Sequence, residues 1–422
     1  MANDRGYFAL ALQRILEDGV ALSVLKNDVA AEDRGYFNML MMTTLRQLAF
    51  IRESVLPRYI KKKIPHKERI LAYLLYLGGA ELLFMQTPAH AVINLSAEAA
   101  KRPAGQFGAN FVNAVLRRID KEKAALCALQ NGHYFSRNFR QILTQDYTPE
   151  AVKAMEKYAG VEAALDITLK NTADNPLADG VVLPTGSIRL PANTKVSALP
   201  GYAAGKWWVQ DAAAALAVKG LCNVRGLKAL DLCAAPGGKT AQLLAGGAEV
   251  TAVDISESRL ATLKENIQRL DLADKLAIVQ ADALEFTPTS LFDIVLLDAP
   301  CSATGTFRRH PEIIHTRTVD DVRRQAALQK ELIRKAAQLV TPGGKLVYAT
   351  CSLAKAEGEA VIRNFIAEQP EFAIMPANIR GAEHSVTKDG FIRILPHTFV
   401  TGENTALSGA DGFFIAYLQR KI

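Results

Sequence analysis

Two cysteines stand where a thiol is positioned for chemistry. Cys301 follows Asp-Ala-Pro in LLDAPCSATG, residues 296–305, and Cys351 follows Tyr-Ala-Thr in KLVYATCS, residues 345–352. Each comes directly after a run that reads as a buried strand, FDIVLLD before the first and GKLVYAT before the second. Three more such runs, LKALDLC, AEVTAVD and KLAIVQA, precede them, with helical stretches at 256–271 and 319–340 in between. This alternation predicts an open parallel α/β sheet covered on both faces. In such a sheet ligands lie beyond the carboxyl ends of the strands, so function is sought in the residues just past each strand. Those residues are CAAPGGKT at 233–240, then Asp254, Asp282, Asp298 with Cys301, and Cys351.

Gly237 and Gly238 let the first of these turns close against a ligand with no side chain in the way. A phosphate-binding GxxxxGK[ST] loop would need glycine where Cys233 stands, and a dinucleotide G-x-G-x-x-G is absent. Asp254, sixteen residues beyond Gly238, suits a carboxylate that accepts from ribose hydroxyls, although a lone acid there is more often a helix cap. Together these features favour a nucleoside cofactor without pyrophosphate, with S-adenosylmethionine the leading candidate. Most cysteines are simply packed, and Cys127, Cys222 and Cys233 are given that reading. Metal ligation is disfavoured for Cys301 and Cys351, because His310 and His315 have no supporting CxxC or HxxxH. A pair of thiols at one sheet edge instead suits methylation at carbon 5 of cytosine. That carbon is a poor nucleophile until a thiolate adds at carbon 6, and the adduct must later lose its carbon-5 proton and expel the thiolate. One cysteine adds, a second polar group helps the collapse, and Asp298 would hydrogen-bond the base and steady the charge.

The elements that must position these groups sit late in a chain of 422 residues, long enough for two or three domains. Residues 1–130 show helical periodicity, as in Leu10, Ile15 and Leu16, then Leu40, Leu45 and Leu48, and predict an all-α domain. The pentapeptide DRGYF occurs at 4–8 and again at 33–37, with no continuing similarity, and is read as coincidence. Residues 131–225, with turns such as ADNPLADG and LPANTK, predict a small α+β connecting domain, and 226–422 the α/β domain. Residues 1–150 carry 20 Lys and Arg against 14 Asp and Glu, which concentrates there most of the net charge of +7. Within them RYIKKKIPHKER, with Lys61, Lys62 and Lys63, and the group Lys101, Arg102, Arg117 and Arg118 are expected to offer one phosphate-binding face, a merely solvated face being the plain alternative. Five cysteines without a CxxC pair argue against a disulfide framework or zinc ribbon, and the expected state is free thiols in a reducing cytoplasm, with no metal. No membrane partner is expected: the N-terminus lacks a signal-peptide core, and LAYLLYLGGAELLFM, 71–85, is too short for a bilayer and contains Glu81.

The motifs DLCAAPGGKT, VDIS followed by Arg259 and Leu260, DAPCSATG, RRHPE and YATCS stand in one order, and in that order the sequence resembles the Sun/Fmu, RsmB-like family of bacterial RNA cytosine-5 methyltransferases. PGYAAGKWWVQDAAAALA, 200–217, is similar to the segment before that family's catalytic domain, and RILPH with DGFFIAYL to its closing strands. AELLFMQTPAHAVIN and GANFVNAVLRRI resemble a NusB-like RNA-binding domain. The resemblance implies a Rossmann-like methyltransferase domain behind a NusB-like helical one, with Cys351 as nucleophile and Cys301 assisting product release. It further implies that Cys233, Ala234, Ala235, Pro236, Gly237, Gly238, Lys239, Asp254, Arg259, Asp282 and Asp298 bind S-adenosylmethionine, with Asp298 also close to the target base and Lys239 near the reacting centre. The implied partner is RNA, 16S rRNA or a small-subunit precursor, met by a monomer. The rivals are a tRNA substrate and a non-catalytic RNA-binding assembly factor. The sequence departs from the family at Ala303, where glycine is usual, in INLSAE, which lacks an acidic residue after Ile-Asn, and in LDITLKN, which lacks Arg-x-Asn.

Overall fold

The computed structural model describes residues 4–192, 194–398 and 407–422. Its contacts divide the chain into two units, one holding residues to 141 with 149–160 and 310–316, the other 142–148, 161–309 and 317–422.

The first unit is helical, with principal helices Arg5–Asp18, Arg34–Phe50, Ile70–Phe84 and Ala89–Lys121. The Asp4 carboxylate caps the first by accepting from the N–H groups of Gly6 and Tyr7. Ile70–Phe84 is apolar nearly all round because it lies at the centre, with Leu71, Leu74, Leu75, Leu77 and Ala80 sealed from solvent. Ala89–Lys121 breaks at Ala104 and Gly105, just after Pro103, where the ring denies the helix a donor. Glu81 lies fully buried on the central helix, with Arg5 at 2.5 Å and the Tyr36 hydroxyl donating to it. Arg5 also lies over the rings of Phe8 and Tyr36, and Phe8 meets Phe37 edge to face at 4.9 Å between centroids. The two DRGYF copies open two helices that meet around one buried ion pair, but their matching residues do different work: Asp4 caps its helix where Asp33 makes no side-chain cap, and Arg5 pairs with Glu81 where Arg34 donates to the carbonyls of Val29 and Asn27.

The second unit carries two sheets. Strands β1 (Leu165–Leu169), β2 (Val181–Val182), β3 (Ile188–Leu190) and β4 (Trp207–Val209) form a small antiparallel sheet in the order β2-β3-β1-β4. The larger sheet holds β5 (Lys228–Leu232), β6 (Glu249–Asp254), β7 (Leu276–Gln280), β8 (Phe292–Asp298), β9 (Val340–Thr350), β10 (Phe372–Met375), β11 (Ile392–Ile394) and β12 (Phe413–Arg420). Its order is β10-β12-β9-β8-β5-β6-β7, with β11 beside the start of β12. The five strands expected from the sequence are the parallel part, and β12 enters antiparallel beside β9, so the sheet is mixed. Along β8 the period of two sends Ile294 and Leu296 into one core and Val295 and Leu297 into the other, which is why this run is apolar without alternation. The chain runs outward from β5 to β6 and β7, then returns to the other side of β5 for β8 and β9. The switch point thus falls between β5 and β8.

Residues 161–225 belong to the same unit as the larger sheet. Asp166 on β1 is buried against Arg189 at 2.6 Å and accepts from the N–H of Ala212 at the head of the helix Ala212–Lys219. Arg189 in turn donates to the carbonyls of Leu407 and Gly409. No helix among the described residues is long and apolar enough to cross a membrane.

Removing one member of a buried ion pair leaves the other charge unmatched, at a cost of about 3–5 kcal/mol. Arg5→Leu is expected to lower the unfolding free energy read from urea denaturation by an amount of that order, and the double change Arg5→Leu, Glu81→Leu to recover most of it.

Candidate active site

The turn after β5 is held open by backbone that few residues adopt. Cys233 and Gly237 both lie in the left-handed region, at φ 60° and 100°. A Cβ on Gly237 would also come within 2.8 Å of Leu263 Cγ, so glycine answers both conformation and space. The buried carboxylate of Asp254 pins this turn to the end of β6, accepting from Ala235 N–H and Ser256 N–H, each at 3.1 Å. Arg259 sits 3.3 Å from the same carboxylate and donates to the Ala235 carbonyl. Asp231, inside β5, receives the Thr240 hydroxyl at 2.6 Å, and burial pushes its pKa up to about 7.

Lys239, in the first turn of the helix Gly238–Ala245, is buried with its Nζ 2.6 Å from Asp298 Oδ2 and 5.2 Å from the centroid of Phe413. Burial opposes its charge, but the carboxylate of Asp298 outweighs that and raises its pKa, so it stays a cation. The neighbouring strand ends β8 and β9 bring Cys301 and Cys351 together, Sγ to Sγ 3.3 Å. The hydrogen bond with Cys301, to which the Cys351 S–H donates, and then burial hold the Cys351 thiol well above its ordinary pKa, while Lys239 pulls the other way. Gly305 N–H donates to the Cys351 carbonyl at 2.9 Å, and a Cβ on Gly305 would fall 2.0 Å from the carbonyl oxygen of Gly412. Ala303 has φ 57°, in the left-handed region that favours glycine, which gives a backbone reason for the residue usual at that place in the family the sequence resembles.

A cavity of about 320 Å³ opens beside the turn, with Ala234, Pro236, Gly237, Gly238, Lys239 and Asp298 on one wall and Tyr202, Trp208 and Gln210 on another. Cys233, Ala235, Asp254, Arg259 and Asp282 do not line it. Asp282 is exposed and accepts from Leu284 N–H, closing its own turn. The cavity's cations are engaged, Lys239 with Asp298 and Arg269 with the carbonyls of Tyr202 and Trp207 and the ring of Tyr202. Asp298 offers a ligand in this cavity a carboxylate. Trp208 and Gln210 were not singled out from the sequence, though the WWVQ run just ahead of the α/β region was the signal available.

Elsewhere the expectations divide. Cys127 donates to the Leu83 carbonyl and Cys233 is pushed up to about 12 by burial, as packed thiols are, but Cys222 is exposed at φ 61° past the helix Ala212–Lys219, which corrects its assignment to the interior. His315 bonds the Leu45 carbonyl and burial drives its pKa down to about 3, and no metal-binding cluster occurs among the described residues. In the helical unit Lys61, Lys62 and Lys63 are exposed at the rim of an apolar hollow of about 460 Å³ that also takes in Arg52, Arg69 and Tyr76. Arg118 lies over the ring of Tyr59, two residues from Lys61, while Arg117 is exposed and bonds Asn113.

Two family models match the chain: 16S rRNA methyltransferase RsmB/F over residues 221–419, and the NusB family over 2–121. Ribosomal RNA small subunit methyltransferase B of Vibrio cholerae is 32% identical over 445 residues, covering 99% of this chain and 98% of that protein. Its namesake from Salmonella arizonae is 32% identical over 92% of this chain and 97% of its own length. The chain belongs to the RsmB/F family of rRNA methyltransferases. The fold agrees with the crystal structure of PH0851, at a TM-score of 0.78 and 21% identity over 100% of this chain and 99% of that one. A methyltransferase homologue from Pyrococcus horikoshii gives 0.53 and 22% over 68% of this chain and 99% of its own. As a member of the family it is an RNA methyltransferase that uses S-adenosylmethionine.

A thiol held above its ordinary pKa is protonated at neutral pH and gains nucleophilicity as pH rises. Alkylation of Cys351 by iodoacetamide, read by mass spectrometry, is expected to quicken about tenfold per pH unit through pH 9. At fixed pH, Cys301→Ala should speed it by removing the bond that favours the thiol, and Lys239→Gln should slow it by removing the nearby cation.

Proposed function

We propose that the chain methylates carbon 5 of a cytosine in RNA, most specifically in 16S rRNA, through a covalent adduct on Cys351. The observation that carries this reading is the pair of thiols 3.3 Å apart at the switch-point edge, beside the ion pair of Lys239 and Asp298. Cys351, once deprotonated, adds its sulfur to carbon 6 of the base, and the π electrons of the C5–C6 bond become available at carbon 5. The negative charge gathering on the ring is met by the Lys239 ammonium, and Asp298 orients the base from the same edge. S-adenosylmethionine, when bound, supplies an electrophilic methyl group. Gly237 and Gly238 let backbone approach that cofactor closely, and Trp208 with Tyr202 excludes water from its cavity. A general base, the role Cys301 takes in assisting the elimination, accepts the proton of carbon 5, the electrons of that C–H bond restore the C5–C6 bond, and the sulfur of Cys351 leaves as thiolate.

Of the residues expected to hold the cofactor, Ala234, Pro236, Gly237, Gly238, Lys239 and Asp298 are supported by the cavity they line. Asp254 supports the site indirectly, as the pin beneath Ala235, and Arg259 steadies Asp254. The helical part, residues 1–130, takes the role of RNA capture, with Lys61–Lys63, Arg117 and Arg118 as phosphate contacts and the chain acting as a monomer in the cytoplasm.

Cys351→Ser is expected to lose methyl transfer altogether, whereas Cys301→Ala should accumulate a protein–RNA adduct visible on denaturing gels. The reverse pattern would move the nucleophile to Cys301, and no methyl incorporation into any RNA by the unaltered chain would favour a non-catalytic assembly factor. Bisulfite sequencing of rRNA and tRNA, with and without the gene, separates the two substrate classes. For the basic face, replacing Lys61, Lys62 and Lys63 by Ala should weaken RNA binding and flatten its dependence on salt by about 0.7–0.9 for each phosphate no longer neutralised. Unchanged affinity would mark that face as merely solvated.

A further inference from the structure

Glu357 lies in the turn after β9 and is fully buried, yet no step of the proposed reaction uses it. Its Oε1 accepts from Ser302 N–H at 2.8 Å and from Gln329 Nε2 at 3.3 Å. Its Oε2 accepts from the hydroxyls of both Ser302 and Ser352. Ser302 is the residue after Cys301, and Ser352 the residue after Cys351. The same Gln329 nitrogen donates to the Pro300 carbonyl at 2.8 Å, on the other flank of Cys301. The turn is fixed from behind as well, where the Tyr348 hydroxyl donates to the Glu357 carbonyl at 2.7 Å.

We infer that Glu357 is a positioning residue which clamps the Cys301 loop to the Cys351 loop and so sets the distance between the two thiols. This rests on the reading of those thiols as the reacting pair. An ionised carboxylate has two oxygens and only accepts, and here four donors reach it from three stretches of chain, so it works as a junction with no capacity left for a substrate. Backbone bonds from Ala299 to Ala349 and from Gly305 to Cys351 fix the loops at either end, and the stretch between them is cross-linked through Ser302, Glu357 and Ser352. A bulky apolar residue would fill the same space but bind neither serine, leaving two buried hydroxyls and one N–H without that acceptor. Burial pushes the Glu357 carboxyl up, and the serine and amide donors that cross-link the two loops pull in the opposite direction.

The test uses the full-length chain carrying Glu357→Gln, which keeps the shape but turns one acceptor oxygen into a donor, and separately the pair Ser302→Ala, Ser352→Ala. Two quantities are measured: the rate at which diamide, a two-electron thiol oxidant, joins Cys301 to Cys351 in the absence of RNA and cofactor, and the kcat and KM of methyl transfer. The inference expects cross-linking and kcat each to fall about tenfold or more in both variants, with KM for RNA and for S-adenosylmethionine within threefold of the unaltered chain. A merely structural role would move the melting temperature and leave the cross-linking rate of the folded fraction alone, and that outcome would overturn the inference. So would slower cross-linking with kcat unchanged, since the spacing would then not matter to turnover. Cross-linking does not depend on which sulfur attacks the base, so failure of the clamp and failure of the nucleophile assignment, read from the adduct gels, are distinguishable.

Discussion

The constraint on which the site depends is the spacing of two neighbouring parallel strands. Strands β8 and β9 run side by side in the same direction, Asp298 level with Ala349, so both end at one edge of the sheet. Parallel neighbours lie about 4.8 Å apart, which is close to the reach of two side chains leaving adjacent strand ends. A right-handed crossover through the helix Val319–Gln338 is what makes neighbours of two cysteines fifty residues apart in the chain. Had β9 entered antiparallel, as β12 does, its end would lie at the opposite edge and Cys351 would never meet Cys301.

Charge does the rest of the arranging. Lys239 is a buried cation whose charge acts on Cys351, and its partner Asp298 stands at the end of β8, so one ion pair spans the switch point between β5 and β8. The pair leaves the Lys239 charge intact where burial alone would have suppressed it. Cys301 works in the opposite sense on Cys351, favouring the protonated thiol. At rest the site is therefore held with its sulfur quiet and its cation ready. The shift toward thiolate has to come from what the base brings into the crevice, since a ring that develops negative charge beside Lys239 rewards attack where an empty crevice does not.

Much of this was legible in the sequence, for identifiable reasons. The strands of the parallel sheet were legible because burial on both faces writes them as unbroken apolar runs, and Gly237 because its place demands both a left-handed φ and an absent side chain. The small sheet was not, since β2, β3 and β4 are two or three residues long and carry no measurable period. Nor were the pairings of β10, β11 and β12, which depend on contacts distant in the chain. That Arg5 and Tyr36 share Glu81 is a matter of packing, which the repeated letters of DRGYF do not encode. Glu357 reads as an ordinary acid in AKAEGEA, next to a surface-like helix start, and its meaning lies in serines that follow two different strands.

Three buried acids of the second unit share one form of use. Asp254 holds the β5 turn to the β6 turn, Asp166 holds β1 to Arg189 and to the helix Ala212–Lys219, and Glu357 holds the β8 loop to the β9 loop. In each case the carboxylate ties a strand or strand end to a neighbouring segment by side-chain bonds beyond the strand ladders, and its oxygens are taken up by N–H, hydroxyl, amide or guanidinium donors. An acid so engaged is costly to strip of its donors and has little left to offer a ligand, which suits it to fixing distances. The groups proposed to react are of another kind: two thiols, and the ion pair of Lys239 with Asp298, whose carboxylate is partly exposed. That division, with buried carboxylates as scaffold and the two thiols beside an ion pair, places the proposed covalent attack and charge stabilisation at one sheet edge, on loops cross-linked by side-chain bonds.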